Sequence, residues 1–330
     1  MTLTTHPPFG PKVLAIDAAA ECQRITTWLR TTIARQLHRR GAVIAVSGGI
    51  DSAVCAALAR SALGPELVTA LFLPGIGSTP DSADRARDLC AGLGIHLEER
   101  SIVAALAALG CYQSRDAAIA RVFPDLPAGA RHKITIADGL LDRDRGNLFE
   151  LVAEAPDGSL RRARLPLDAY LQLTASTNMN QRVRKLLEYS AAEQRNYAVI
   201  GTPNRLEYEL GFFVRGGDGL ADLEPIAHLY KTQVYQLAEH LGVPASIRAQ
   251  PPSTETYSLP QTQQEFFFAL PYHQLDLLLW ARLHRTPVAE VAAGLQLTCE
   301  QVERAWRDID SKQRVGARLR QAPLLLEDHP

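Results

Sequence analysis

The stretch Ala42-Val-Ile-Ala-Val-Ser-Gly-Gly-Ile-Asp-Ser52 joins a short apolar run to a glycine turn and then to a helical sequence. Residues 42–46 are small or β-branched, which is typical of a parallel strand that is buried on both faces. Residues 47–51 predict a tight loop, and residues 52–63 predict a helix. A buried strand, a loop and a helix in this order indicate one unit of an α/β sheet.

The same alternation continues on both sides of this stretch. Residues 67–73 and 95–100 predict two further strands, and residues 81–93 predict the helix between them. Residues 17–40 predict an amphipathic helix before the first strand, and residues 197–201 repeat the strand-then-loop pattern much later. Strands that alternate with helices favour an α/β fold with a doubly wound, mainly parallel sheet of the Rossmann-like kind.

The middle of the chain lacks this rhythm. Residues 147–153 and 160–165 flank Ala155-Pro-Asp-Gly158, a strong turn sequence, and predict an inserted β-hairpin. After residue 228 the sequence is mainly helical. We therefore expect an N-terminal helical segment, an α/β domain with an insertion, and a helical C-terminal region that completes the same domain. The expected bounds are residues 1–40, residues 41–240 with the insertion at about 110–165, and residues 241–330.

Composition and charge argue against several classes of protein. The 330 residues are 46% apolar and 22% charged with a formal net charge of −1, an ordinary globular mix that is too neutral for a general nucleic-acid binder. No apolar run is long enough to span a bilayer, and residues 1–12 lack the pattern of a secretory signal. Five cysteines lie far apart and nine histidines are scattered, which argues against a zinc site and predicts reduced thiols in a cytoplasm.

Residues 47–52 carry the main functional signal. Two glycines let the backbone turn sharply, and the following helix offers free N–H groups with a positive dipole end. Hydroxyl donors stand at both ends of the loop, and Asp51 would repel a phosphate unless a Mg²⁺ ion lies between them. The alternative is a simple glycine turn with Asp51 as a helix cap. The candidate phosphate-binding residues are Ser47, Gly48, Gly49, Ile50, Asp51 and Ser52.

The pattern S-G-G-x-D-S after a strand resembles the pyrophosphate loop of the N-type ATP pyrophosphatases. That superfamily has the adenine nucleotide alpha hydrolase type of fold, and it includes NAD synthetase, GMP synthetase, asparagine synthetase and argininosuccinate synthetase. The resemblance implies that ATP is cleaved between its α and β phosphates, that pyrophosphate is released, and that an adenylated substrate forms. The loop alone identifies the superfamily and not the member.

The second half of the chain is similar to the NAD synthetase family in particular. The similarity covers roughly residues 16–110 and residues 171–330, and several motifs in a fixed order are a far stronger signal than any one of them. The matching stretches are Asn178 to Arg184, Gly201-Thr-Pro-Asn-Arg-Leu-Glu207, Gly211-Phe-Phe-Val-Arg-Gly-Gly-Asp218, Ala221-Asp-Leu-Glu-Pro-Ile226, Leu229-Tyr-Lys-Thr-Gln-Val234 and Pro252-Ser253.

This resemblance implies a combined ATP and metal site. Asp51 and Glu207 match the carboxylates that hold Mg²⁺, and Thr202, Lys231 and Ser253 match groups that bind ATP or its phosphates. Attack on the α phosphorus places negative charge on phosphate oxygens, which a lysine and a Mg²⁺ ion can offset. Lys231 is therefore predicted to be catalytic as well as ATP-binding.

An acceptor site and an ammonia site are implied as well. Arg182, Arg215 and Asp222 match contacts to deamido-NAD, the dinucleotide with nicotinic acid in place of nicotinamide. Lys312 is the closest match to the lysine of the family's H-K-R run, whose histidine is absent here. Asp218 matches the acid beside ammonia. Because ammonium dominates at neutral pH, a carboxylate there can hold the ion and accept its proton.

The resemblance predicts an ammonia-dependent member of the family, with ATP as co-substrate and Mg²⁺ as cofactor. About forty residues precede the phosphate loop, too few for an ordinary glutaminase domain, so we expect free ammonia or delivery by a separate protein. Family members are homodimers with the dinucleotide site at the interface, and a homodimer is expected here. We expect neither nucleic acid nor a membrane as a partner.

Three alternatives to this interpretation come from the residues themselves. A related enzyme could use the same adenylation on a different carboxylate. A catalytically silent nucleotide sensor is a second alternative, although it would not need Asp218. Residues 288–302 also read like a helix-turn-helix, but Glu290, Glu300 and Glu303 and the near-neutral net charge argue against DNA binding.

Overall fold

The computed structural model describes residues 9–136, 140–141, 149–253 and 257–326. Four parallel strands form the central sheet in the order β3-β2-β1-β7, and three antiparallel strands form a small second sheet in the order β4-β5-β6. The prediction of a mainly parallel α/β fold is therefore confirmed. The strands are β1 (Ala42–Ala45), β2 (Val68–Phe72), β3 (His96–Glu99), β4 (His132–Ile136), β5 (Phe149–Glu154), β6 (Leu160–Arg164) and β7 (Ala198–Ile200).

Helices cover both faces of the central sheet, as a doubly wound fold requires. Alternate residues of β1 face opposite sides, because side chains in a strand alternate with a period of two. Ile44 packs with the first three long helices and α8, whereas Val43 packs with α4 and α6. The helices are α1 (Ala18–Thr31), α2 (Ile50–Leu63), α3 (Pro80–Leu93), α4 (Val103–Ala108), α5 (Cys111–Val122), α6 (Leu167–Arg195), α7 (Arg205–Leu210), α8 (Lys231–His240), α9 (Ala245–Arg248), α10 (Tyr272–Leu283), α11 (Val288–Leu295) and α12 (Cys299–Arg320).

The predicted hairpin is present, but it belongs to a larger unit. β5 and β6 pair with Glu154 opposite Leu160, and the N–H of Gly158 donates to Ala155 O at 2.9 Å to close the turn. Sequence patterns missed β4, which adds a third strand on the far side of β5. This sheet packs on α5 and on the start of α6 through Ile134, Leu151 and their neighbours. Residues 147 and 148 of the predicted hairpin lie outside the described residues.

Two helices differ from the sequence-based expectation. The predicted helix over residues 17–40 is regular only through α1, since Thr32–Gln36 forms a wider π-helical turn and His38 adopts a positive φ of 52°. The 29-residue α6 was not predicted, because its composition is polar along much of its length. It runs from the small sheet to β7, and its Arg184 Nε donates to Leu73 O at 3.0 Å just after β2.

The C-terminal part is helical from α8 onward, as predicted. Helices α10, α11 and α12 form a second core with α7, in which Leu278, Val291 and Val302 are fully buried. Gly316 of α12 packs directly on the backbone at Gly211, which follows α7. This contact ties the C-terminal helices to the segment that follows β7. Within the described residues, no helix is both long and apolar enough to cross a membrane.

Candidate active site

The candidate site lies where the loops after β1 and β7 meet. These two strands are adjacent and parallel, with Ile44 opposite Ile200, so their carboxyl ends share one edge of the sheet. The chain builds the sheet from β1 through β2 to β3 on one side and then adds β7 on the other. Ligands of open α/β sheets bind at this kind of switch point, outside the carboxyl ends of the strands.

The loop after β1 has the geometry of an anion cradle. Gly48 has a positive φ of 78°, and a Cβ there would lie 2.7 Å from Ser82 O, so only glycine fits. Ser52 Oγ donates to Gly49 O at 3.0 Å and lies 3.4 Å from Ser47 Oγ, which fixes the turn. Gly49 is the N-cap residue of α2 and has no side chain that could accept a hydrogen bond. The backbone N–H groups in the first turn of α2 therefore face the loop with no capping side chain.

Lys231 and Asp51 form an ion pair next to this cradle. They are 180 residues apart in the chain, so the pair is a tertiary contact. The side chains of Lys231 and Asp51 are 3% and 16% exposed, so the pair is largely shielded from solvent. Burial lowers the pKa of Lys231, but the carboxylates of Asp51 and Glu207 outweigh that effect and raise it. Lys231 is therefore a charged lysine at neutral pH, as the predicted phosphate contact requires.

Glu207 is linked to this ion pair through Asn204. Its Oε2 accepts a hydrogen bond from the Asn204 N–H at 3.0 Å, and its Oε1 accepts one from Gln263 Nε2 at 3.0 Å. The Asn204 side chain in turn donates to Asp51 Oδ1 at 3.2 Å. Burial, and then the charge of Asp51, raise the pKa of Glu207. Three of the residues predicted for metal and phosphate contacts, Asp51, Glu207 and Lys231, are thus brought together.

The donor set of this cluster fits a magnesium ion. When both carboxylates are ionised, they and the one lysine leave one uncompensated negative charge in a buried place, which a divalent cation would offset. Among the described residues, no group of three or more His, Cys, Asp or Glu side chains is arranged to hold a metal. Mg²⁺ is usually held by one or two carboxylates together with water and substrate phosphates, so two protein ligands suffice.

Asp276 of α10 accepts hydrogen bonds from the backbone at the start of α8, and sequence reasoning missed this residue. It is fully buried; its Oδ1 accepts from the Lys231 N–H at 3.2 Å, and its Oδ2 accepts from the Thr232 N–H at 2.7 Å and Thr232 Oγ1 at 2.6 Å. Burial raises its pKa to about 6. The signal in the sequence was a lone carboxylate within the apolar run of residues 275–281, since a buried acid needs partners.

Thr202 and Ser253 lie in two different loops. Thr202 is half-buried in the turn that follows β7. Ser253 is exposed and forms an isolated bridge with Thr262, and the Gln263 N–H donates to Pro252 O at 3.0 Å. Gln263 therefore links the segment of Ser253 to Glu207. Residues 254–256, which follow Ser253, lie outside the described residues.

Asp218 occupies a glycine loop that docks on α6. Its Oδ1 accepts from the Val214 N–H at 2.7 Å, and a Cβ at Gly217 would lie 2.8 Å from Gln181 Cβ, so this loop lies close against the helix. Burial raises the pKa of Asp218, while the Val214 N–H and the charge of Lys185 oppose the rise. Lys185 is itself 4% exposed and pairs with Glu188 at 2.7 Å.

Comparison with known proteins identifies the family of this site. The family model described as NAD synthase matches residues 21–136 and 156–314. The chain belongs to the NAD synthase family. The unmatched residues 137–155 fall inside the predicted insertion and include β5. Both the predicted family and the predicted enzyme class are confirmed.

Named relatives of this NAD synthase family member extend over its whole length. It is 49% identical to the NH(3)-dependent NAD(+) synthetase of Rhizobium rhizogenes, over 98% of each chain. It is 46% identical to the enzyme of the same name from Rhizobium meliloti, over 97% of this chain and 95% of the relative. The structure of NH3-dependent NAD synthetase from Campylobacter jejuni, at 21% identity and a TM-score of 0.61, covers 94% of this chain and is itself covered completely. At that identity the solved structure supports the fold alone.

The residues predicted to contact the dinucleotide lie in three places in this NAD synthase family member. Arg182 Nε donates to Arg215 O at 3.3 Å, so these two exposed arginines are neighbours. Asp222 accepts from the Val199 N–H at 2.8 Å and from Tyr189 Oη at 3.3 Å, which places it at the edge of β7.

Lys312 lies apart from them on α12. Its Nζ donates to Asp308 at 2.6 Å and lies 5.0 Å from the centre of the Phe267 ring. Burial lowers the pKa of Lys312. Its role in dinucleotide binding stays a prediction, as do the roles of the other three residues.

Proposed function

We propose that this chain is an ammonia-dependent NAD synthetase, which converts ATP, deamido-NAD and ammonia into NAD, AMP and pyrophosphate. The observation that carries the proposal is the buried pair of Lys231 and Asp51 beside the anion cradle, in a member of the NAD synthase family. The names of the rhizobial relatives support ammonia as the nitrogen donor.

Adenylation is the first step of this reaction. A carboxylate oxygen of deamido-NAD attacks the α phosphorus of ATP, the bond to the bridging oxygen breaks, and pyrophosphate leaves. The first amides of α2 and the hydroxyls of Ser47 and Ser52 hold the phosphates. Lys231 offsets the charge that grows on the phosphate oxygens, and the pair with Asp51 keeps its side chain in place before ATP arrives.

Asp51 and Glu207 are the residues that would hold Mg²⁺. The ion, when bound with ATP, supplies positive charge against the phosphates and the leaving pyrophosphate. Burial and Asp51 raise the pKa of Glu207, so a nearby cation is what allows both carboxylates to stay ionised. Thr202 and Ser253 complete the proposed ATP contacts.

Amidation is the second step. The ammonia nitrogen attacks the carbonyl carbon of the adenylate, the carbon–oxygen bond to AMP breaks, and one proton leaves the nitrogen. Asp218 is the proposed acceptor of that proton. Because burial raises its pKa, its carboxylate is a stronger base than that of an exposed aspartate.

The exposed face of α6 fits a homodimer with the dinucleotide bound at the interface. Leu171 and Leu186 are 57% and 68% exposed, and Arg182 lies on the same face, about three turns from Leu171. Large apolar side chains around a predicted ligand contact favour burial against a second copy of the chain. Arg182, Arg215, Asp222 and Lys312 would then bind deamido-NAD near that interface.

A cytoplasmic location also fits this activity. Cys22, Cys55, Cys90 and Cys111 are buried free thiols, and burial raises the pKa of Cys90 to about 12. Such thiols are protonated and inert, which suits a reducing compartment.

Product analysis tests the proposed function directly. Purified protein is supplied with ATP, Mg²⁺, deamido-NAD and ammonium chloride, and NAD, AMP and pyrophosphate are measured. We expect equal amounts of the three products, no turnover when any substrate is omitted, and none with glutamine in place of ammonium. ADP and orthophosphate as products, or a higher kcat/KM for another carboxylate, would contradict the proposal.

A further inference from the structure

Asn204 makes hydrogen bonds to both carboxylates of the proposed magnesium site. It is 1% exposed, its Nδ2 donates to Asp51 Oδ1 at 3.2 Å, and its backbone N–H donates to Glu207 Oε2 at 3.0 Å. We propose that Asn204 is a positioning residue, which sets the separation of Asp51 and Glu207 and thereby the affinity for the divalent cation that accompanies ATP. This inference rests on the proposed function.

The choice of asparagine carries the argument. Its Oδ1 accepts from the N–H groups of Leu206 and Glu207 at 3.0 and 3.3 Å, so the residue also caps α7. Serine and threonine cap helices about as well, but one hydroxyl oxygen would have to serve both the cap and Asp51, whereas asparagine divides these tasks between Oδ1 and Nδ2. Aspartate would cap and would add a third negative charge beside Asp51. The amide of Asn204 caps the helix through Oδ1 and donates through Nδ2 to Asp51, which is 153 residues away in the chain.

The remaining carboxylate oxygens are held by separate donors. Asp51 Oδ2 accepts from Lys231 Nζ, and Glu207 Oε1 accepts from Gln263 Nε2. Each carboxylate is therefore fixed at both oxygens, and Asn204 is the residue that both share. Every oxygen keeps a second lone pair for a cation. Partners of this kind, which orient a metal ligand, commonly change metal affinity by about 10- to 100-fold when they are removed.

Two variants at this position separate bridging from capping. Asn204→Ser keeps a cap on α7 and loses the bond to Asp51, whereas Asn204→Ala loses both. Mn²⁺ and Mg²⁺ binding are measured by calorimetry with α,β-methylene-ATP, which does not release pyrophosphate, and thermal unfolding is measured in parallel. We expect both variants to bind the cations about 10-fold or more weakly, and only Asn204→Ala to lose much thermal stability.

A matched control uses a cap far from the site. Thr298 is exposed and caps the N-terminus of α12, where its Oγ1 accepts from the Gln301 N–H at 3.2 Å. Gly316 lies near the other end of this helix. Thr298→Ala should lower the melting temperature and leave cation affinity unchanged. Asn204→Ser with wild-type cation affinity would overturn the proposal and leave the proposed function intact. Wild-type protein that makes NAD without any divalent cation would instead remove the metal site, and the role of Asn204 with it.

Discussion

At the scale of single residues, Lys231 is the group proposed to supply positive charge to the first half-reaction. It is 2% exposed, and the carboxylates of Asp51 and Glu207 keep its ammonium group charged. A neutral side chain at this position would remove that charge. Lys231→Met should abolish the pre-steady-state burst of pyrophosphate and lower kcat/KM for ATP by roughly 100- to 1,000-fold. Rapid-quench assays check this, with the exposed Lys12→Met as control. A normal burst in Lys231→Met would remove the lysine from adenylation.

Asp218 is expected to act only in the second half-reaction. Asp218→Asn keeps the size of the side chain and removes the proton acceptor, so the first pyrophosphate burst should persist while steady-state turnover falls. Higher ammonium or higher pH should partly rescue it, because both raise the concentration of free ammonia. A variant that loses the burst but amidates preformed adenylate at the normal rate would contradict this assignment.

The raised pKa of Asp218 also predicts how the activity of the native enzyme depends on pH. Burial raises the pKa of Asp218, so its carboxylate is protonated at a higher pH than that of an ordinary aspartate. The kcat/KM for ammonium, corrected for free ammonia, should therefore fall on acidification through that raised pKa. In Asp218→Asn this acid limb should be absent, and its persistence would point to another group.

At the scale of elements, the contact between α12 and the end of α7 fixes the segment that carries Glu207. A Cβ at Gly316 would lie 2.8 Å from Glu209 O and 2.9 Å from Gly211 N. Gly316→Ala should lower the free energy of unfolding by about 1–3 kcal/mol, because backbone atoms at that distance must shift. In Gly92→Ala, a matched change within α3 where nothing lies within 4 Å, stability should stay equal or rise by up to about 1 kcal/mol. Denaturant titration of both variants measures the difference.

Asp276 connects α10 to the first turn of α8. Its pKa is raised to about 6, so between about pH 4 and pH 6 the folded protein binds this proton more tightly than the unfolded chain. The stability that Asp276 contributes is therefore fully present below about pH 4 and declines as the pH rises to about 6, by about 3 kcal/mol at most. The difference in unfolding free energy between wild type and Asp276→Asn should show this decline. A difference that grows with pH in this window would contradict a raised pKa for Asp276.

At the scale of the whole molecule, the proposed homodimer would bury the outer face of α6. Leu171→Glu and Leu186→Glu each place a charge on this face, and each should give monomers by light scattering at micromolar concentration, with lower activity per subunit. Leu109→Glu, at a similarly exposed leucine after α4, should remain dimeric. Wild-type protein that is monomeric at the same concentration would contradict the proposed dimer.

Much of the fold could be predicted because it depends on local patterns. The apolar run of residues 42–46 is typical of a buried strand and the glycines after it favour a turn, so β1, the loop after it and α2 followed from adjacent residues. The hairpin of β5 and β6 followed from its turn sequence. Strand β4 and the long polar α6 did not, because their sequences carry weak periodicity and their structure is stabilised by packing on elements distant in the chain.

The sequence by itself determined which chemical groups this protein carries and in what order, and that order placed it in the NAD synthase family. Only the tertiary structure decided how those groups meet. Asp51 reaches Lys231 across 180 residues and Asn204 across 153, and Asp276 reaches the Lys231 N–H across 45. Hydrogen bonds and ion pairs of this kind depend on where β1, β7 and α10 lie in space. Local periodicity reports which face of an element is buried, and it contains no information about which distant polar group that face will meet.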